Sequence, residues 1–272
     1  MASPCQLLIE TQDETLARHL AQIAIDEVAR IERKFSRYRN DNLCHAINNA
    51  NGQRIPIDEE CHRLLTFADT CFDLSEGMFD LSSGVLRRVW RFDCSDNIPT
   101  QEQIEQVLPL IGWNKITFDQ DVIQLQAGME IDFGGIGKEY AVSAVSALCQ
   151  QQAPETSVLI NLGGDIQITR ARKSEAPWYV GIENHDKIIP IVRGALATSG
   201  DAKRYVQKGK VRYSHILNPK TGWPVSGAPS SVTTHASLCI QAGCLATIAL
   251  LHGRHAEQFL QEQDVDYWCT RI

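Results

Sequence analysis

The chain has 272 residues, 43% of them hydrophobic and 22% charged, with 26 basic against 33 acidic side chains and a formal charge of −7. This is ordinary globular composition, enough for one large domain or two coupled lobes. It contains no basic block of the kind that binds nucleic acid, and no apolar run approaches the ~18 residues of a membrane-spanning helix.

Met1-Ala2-Ser3-Pro4-Cys5 lacks a charged region followed by an apolar one. The expectation is a cytoplasmic protein, or a periplasmic one if a leader was removed. Residues 5–10 read as a short strand. Thr11 to Glu14 start a helix, and apolar residues from Leu16 to Phe35 recur at helical spacing. Ser36-Arg37-Tyr38-Arg39 follows. Its arginines and tyrosine suit a phosphate and an aromatic ring, or they form a solvated C-terminal turn. A short helix spans 43–49. Asp58 caps another to about Leu74, which ends in Ser75-Glu76-Gly77-Met78-Phe79-Asp80. A further helix runs from Pro99 to about Leu110, and Trp113 to Leu125 alternates like a hairpin.

In Glu130-Ile131-Asp132-Phe133-Gly134-Gly135-Ile136-Gly137-Lys138-Glu139-Tyr140, strand-like residues lead through glycines into a helix. Bare N–H groups at such a helix start suit an anion, and glycines permit close approach. The alternative is a tight turn that needs glycine for space. Lys138 opposes the helix dipole, which favours a bound anion. Val158 to Ile166 repeats the theme as a strand broken by Gly163-Gly164-Asp165. Strands follow at 178–182 and 188–192, and Ala195 to Asp201 is a strand ending in a polar turn.

Arg212-Tyr213-Ser214-His215-Ile216-Leu217-Asn218-Pro219-Lys220-Thr221-Gly222 reads as a strand carrying a histidine, then a turn. Tyr213, His215 and Leu217 would share one face. A histidine so placed suits a general base, or it is a strand residue bonded to a carbonyl. Val232 to Ala236 is a strand. Ala242 to Leu251 is a buried helix, and a last helix covers 256–261. The mixture lacks strict alternation, which favours an α+β fold. Nine cysteines, an odd number with no Cys-x-x-Cys pair, argue against a disulfide framework or a zinc site and fit a reducing compartment.

Several stretches, in this order, resemble blocks of the FAD:protein FMN transferases, the ApbE-like flavin transferase family: Met1-Ala2-Ser3-Pro4, Ser36-Arg37-Tyr38, Gly77-Met78-Phe79-Asp80, Asp132 to Lys138, Asn161 to Asp165, Ala197 to Asp201, and Tyr213 to Gly222. The resemblance implies a single flavin transferase domain over 1–272, or two coupled lobes, with largely antiparallel sheets flanked by helices around a flavin cleft. It implies FAD as donor, transfer of FMN to a Thr or Ser hydroxyl of an acceptor protein, and release of AMP. By position, Met1, Tyr38, Met78, Phe79, Asp80, Asp132, Gly134, Lys138 and Ile216 would contact FAD, with Lys138 near the diphosphate and His215 as base. A metal ion, Mg²⁺, would use Thr247 and the Gly137 carbonyl.

Gly243 stands where the family usually has a metal-binding Asp, and Glu139 where it commonly has a small residue. The resemblance therefore leaves the metal short of a carboxylate: either the FAD diphosphate supplies most of the ligands, or Asp165 or Asp201 substitutes, or metal binding is lost. Two other readings keep the same pocket: a non-catalytic FAD-binding protein, and an FAD diphosphatase giving FMN and AMP.

Overall fold

The computed structural model describes residues 3–93, 95–182, 187–201, 205–209 and 211–271. Strand β1 (Cys5–Ile9) leads into α1 (Glu14–Phe35). Asp13 caps α1 by accepting from the N–H groups of Thr15 and Leu16. Leu20, Ala24, Ile31 and Phe35 form its buried stripe. Asn42 and Asp58 cap α2 (Leu43–Asn48) and α3 (Glu59–Leu74) in the same way, with β2 (Arg54–Pro56) between them. A Thr100–Gln103 capping box starts α4 (Gln101–Val107). The expected hairpin after Trp113 is reduced to β3 (Thr117–Phe118) and β4 (Val122–Gln124), which join β2 in a small sheet ordered β2-β4-β3.

The second half carries α5 (Gly137–Gln152), β5 (Val158–Leu162), β6 (Asp165–Ile168), β7 (Trp178–Gly181), β8 (Ile188–Ile191) and β9 (Gly194–Gly200). It continues with β10 (Tyr205–Lys208), β11 (Val211–Ser214), β12 (Ser231–Ala236), α6 (Cys239–Leu251), α7 (Ala256–Glu262) and β13 (Tyr267–Thr270). The main sheet has the order β1-β5-β6-β9-β12-β13. All its pairings are antiparallel.

Strand alternation divides the core. Val158, Ile160 and Leu162 pack with α1, α5 and α6, while Leu159 of the same strand joins Ile166, Ile168 and Leu196 against the β7–β8 hairpin. The result is an α+β fold with helices on one face of the sheet and a hairpin on the other. A third cluster, Val85, Leu86, Trp90, Ile104, Val107 and Ile111, reaches Tyr213, Leu217 and Trp223 beside the expected histidine turn.

Two local expectations are corrected. Residues 130–132 are not a strand. The Ile131 N–H donates to the Asn48 side chain at 2.7 Å, its carbonyl accepts from the same side chain at 2.9 Å, and Glu130 is held by Arg87 and Arg88. Side chains satisfy this backbone, so it has no need of a neighbouring strand. Strand β11 ends at Ser214, one residue before His215, because the Ile216 N–H turns back to the Ser214 hydroxyl at 3.1 Å.

Candidate active site

The site begins at the N-terminus of α5. One Asp132 oxygen accepts from the Gly134 N–H at 2.9 Å, and the other pairs with Arg37, just beyond α1. Phe133 to Gly135 form a 3₁₀ turn that runs into α5. A Cβ on Gly135 would meet the Phe79 ring at 3.2 Å, so glycine here lets the turn lie against the Met78-Phe79-Asp80 segment. Ile136 is the N-cap of α5 and offers no side-chain cap, leaving the first-turn N–H groups to other partners.

Lys138 points across this helix start to Asp165, at the turn between β5 and β6, and forms an ion pair with it. The other Asp165 oxygen accepts from the Thr198 N–H of β9 at 3.1 Å. Burial alone would lower the Lys138 pKa, but the negative charges of Asp165 and Glu139 raise it, so the ammonium form is secure. Glu139 is only 5% exposed, and its Oε2 has no hydrogen-bond partner among the described residues. Burial, and then the Asp165 charge, push the Glu139 carboxyl well above the usual range.

Glu139 fills the space that Gly243 of α6 leaves open. A Cβ on Gly243 would stand 3.0 Å from Glu139 Cδ and 3.2 Å from its Oε1, and closer still to Cγ. One helical turn further along α6, the Thr247 hydroxyl meets the Ser199 hydroxyl of β9 at 2.7 Å. Gly137, Glu139, Gly243 and Thr247 therefore lie where α5, α6 and the end of β9 converge. Among the described residues no group of three or more His, Cys, Asp or Glu side chains could hold a metal ion by itself.

His215 is half-buried beyond β11, with its ring edge-on to Phe92 at 6.2 Å between centroids. Ile216 packs against the main core, and its carbonyl accepts from the Val225 N–H. The turn that follows reaches the Met78-Phe79-Asp80 segment, because Lys220 Nζ donates to the Glu76 carbonyl at 3.0 Å. Between them lies a cavity of about 460 Å³, bordered by Phe72, Glu76, Gly77, Asp80, Gly112 and Lys220 among others.

Not every expected contact residue faces open space. Both Asp80 oxygens are engaged internally: one accepts from the Ser82 N–H and hydroxyl, the other from the Trp113 N–H. Asp80 thus shapes the cavity wall, and burial raises its pKa despite those bonds. Phe79 is buried, and Met78 is half-buried against the core. Tyr38 is 77% exposed, and its ring lies under the Arg37 guanidinium at 4.9 Å. Met1 lies outside the described residues; Ser3 and Lys138 both border Gly163, where a Cβ would touch them. Of the expected substitutes for the missing carboxylate, Asp165 is paired with Lys138, and Asp201 is paired with Arg212 through one oxygen while its Oδ1 has no hydrogen-bond partner among the described residues; Glu139 stands beside Gly243. Glu139 was legible only as an odd residue next to Lys138, because its neighbour is 104 positions away along the chain.

The six-stranded sheet, its helical face and the uncapped, lysine-bearing start of α5 define the class of protein. The chain matches the ApbE family over residues 1–269 and belongs to it. It is 30% identical to a Chlamydia pneumoniae FAD:protein FMN transferase over 221 residues, covering 78% of this chain and 69% of that one. It is 27% identical to the Klebsiella pneumoniae protein of the same name over 282 residues, covering 98% and 85%. The fold matches the crystal structure of the ApbE protein from Thermotoga maritima with a TM-score of 0.88 and 28% identity, over 97% of this chain and 90% of that one.

Proposed function

We propose that this protein is an FAD:protein FMN transferase that moves FMN from FAD to a Thr or Ser hydroxyl of an acceptor protein and releases AMP. The observation that carries the reading is the helix start of α5, which has no side-chain cap and has Lys138 in its first turn, with the glycine turn that leads into it lying against the Phe79 ring. It comes from a member of the ApbE family, with transferases among its relatives.

In this reading the α5 N–H groups and Lys138 neutralise the diphosphate. Tyr38, Met78, Phe79 and Ile216 bound the flavin and adenosine parts, while Asp132 and Gly134 set the loop that carries the diphosphate. The acceptor hydroxyl oxygen attacks the FMN phosphorus, the bond to the bridging oxygen breaks, and AMP leaves with that oxygen. His215 takes the hydroxyl proton. Orienting the hydroxyl in line with the breaking bond supplies much of the acceleration.

The residues present also fit a divalent cation, because Glu139 Oε2 is buried without a hydrogen-bond partner among the described residues, and Thr247 lies one turn along α6 from Gly243, against which Glu139 packs. When bound, Mg²⁺ would add positive charge at the diphosphate, held by Thr247 and the Gly137 carbonyl with a carboxylate.

Incubation with FAD, Mg²⁺ and a threonine-containing acceptor peptide tests the reading. Covalently flavinylated peptide with one AMP per flavin is expected. Free FMN with AMP would make the protein a diphosphatase, and bound, unchanged FAD would make it a flavin-binding protein.

A further inference from the structure

Gly243 and Glu139 interlock. Glycine is the only residue that leaves the α6 surface open at position 243, and the opening is filled by a carboxylate from α5 rather than by an apolar side chain. A 95% buried acid with an unpartnered oxygen is costly unless a cation or a polar ligand completes it. Lys138 does not complete it. Its Nζ is 3.9 Å from Glu139 Oε1 and is committed to Asp165. A diphosphate arriving at the α5 N-terminus would meet Lys138 already paired with Asp165, which leaves little positive charge for it unless a further cation enters.

We propose that Glu139 is the charged protein ligand for a divalent cation, reaching the cation through the notch at Gly243. The inference deepens the reading above and takes the presence of a diphosphate from it. The carboxylate has changed helix: α5 supplies at 139 what a side chain on α6 at 243 would otherwise supply, and glycine at 243 is the steric condition for it. Thr247, one turn along α6, and the Gly137 carbonyl, two residues before Glu139, lie on the same two elements. A hard cation such as Mg²⁺ or Mn²⁺ suits this oxygen set. Asp165 remains the partner of Lys138.

Mn²⁺ titration followed by the electron paramagnetic resonance signal of the free ion, with and without FAD, tests this without reference to turnover. The variants are Glu139→Gln, Glu139→Ala and Glu139→Ala combined with Gly243→Asp, each checked for folding by circular dichroism. Wild type should bind Mn²⁺, more tightly with FAD. Glu139→Gln and Glu139→Ala should each weaken binding by about tenfold or more. The double variant should recover to within about threefold of wild type, because shortening residue 139 vacates the space an aspartate at 243 needs. Wild-type affinity in folded Glu139→Gln, or no Mn²⁺ binding by wild type with FAD, would overturn the proposal. So would a folded double variant no tighter than Glu139→Ala. Peptide flavinylation by wild type alongside normal Mn²⁺ binding by Glu139→Gln would sink this inference and leave the transferase reading intact. Mn²⁺ held through Glu139 with no transfer would do the reverse.

Discussion

At the scale of single residues, the two positions that matter most are His215 and Gly243. His215 is held by its place after β11 and by the edge contact with Phe92, outside the α5–α6 seam. Removing the proposed base at this position leaves the α5–α6 seam itself unaltered. His215→Ala should slow FMN transfer by about 10²-fold or more while FAD affinity, measured by fluorescence titration, stays nearly constant. Transfer at the wild-type rate would move the base elsewhere. For Gly243→Asp alone, the sequence suggests a harmless gain of an acid near a helix start. The structure reverses that expectation. Helix α6 begins at Cys239, so position 243 lies a full turn inside it, and its Cβ would press on the middle of the buried Glu139 side chain. Overpacking of this kind costs about 1–3 kcal/mol. The single variant should therefore melt below wild type in differential scanning calorimetry, and Glu139→Ala should relieve the loss.

At the scale of elements, one polar clasp ties α1, α3 and α5 together. Glu60 of α3 accepts from Arg30 and Lys34 of α1, and from the Tyr140 hydroxyl of α5 at 2.6 Å. Burial would raise the Glu60 pKa, but these three donors outweigh it and hold the carboxyl down to about 2. Its folded value therefore lies below its unfolded one, so the stabilisation is complete above about pH 4.5 and is lost as pH falls towards 2. Glu60→Gln should cost about 2 kcal/mol at neutral pH, since the donors remain and the charge does not. It should also flatten the fall in stability across that acid window. Urea denaturation at a series of pH values checks both. An unchanged acid limb in the variant would show that the clasp is not the group titrating there. Because α5 carries Lys138 and Glu139, the clasp also fixes the position of the site's main helix.

At the scale of the whole molecule, the site depends on a second, smaller core. Trp90 is 2% exposed, stacks on Phe92 at 5.4 Å, meets Trp223 edge-on and donates its indole N–H to the Gly222 carbonyl at 2.8 Å. Gly222 is in the left-handed region (φ 72°), and a Cβ there would stand 2.5 Å from Ile104, so only glycine lets the turn after His215 close onto this core. Trp90→Ala should cost about 3–5 kcal/mol and loosen the loop that carries His215. Trp90→Phe, which keeps the ring and loses the N–H, should cost about 1 kcal/mol. Chemical denaturation gives the energies, and protease cleavage near residues 213–223 reports the loop. Equal losses for the two variants would remove the packing argument.

The sequence by itself determined the elements whose signals are local. Asp58 was legible as a cap because its side-chain oxygen bonds an N–H group only three residues away, and Asp13 and Asn42 act through equally local bonds. Helices α1, α3 and α5 announced themselves by apolar spacing, and the ordered blocks from Ser36 to Gly222 carried the family and its α+β fold. Tertiary structure decided what depended on distant partners. Residues 130–132 look like a strand until Asn48 takes both the N–H and the carbonyl of Ile131. The edge strand β13 exists because β12 offers it a ladder. The missing acid at Gly243 reads as a loss in the sequence, and the structure places Glu139 in its space. Periodicity and capping act over a few residues and so can be read along the chain. A buried carboxylate filling the gap beside a glycine is a relation between two helices, set by how they pack, and no local pattern encodes it.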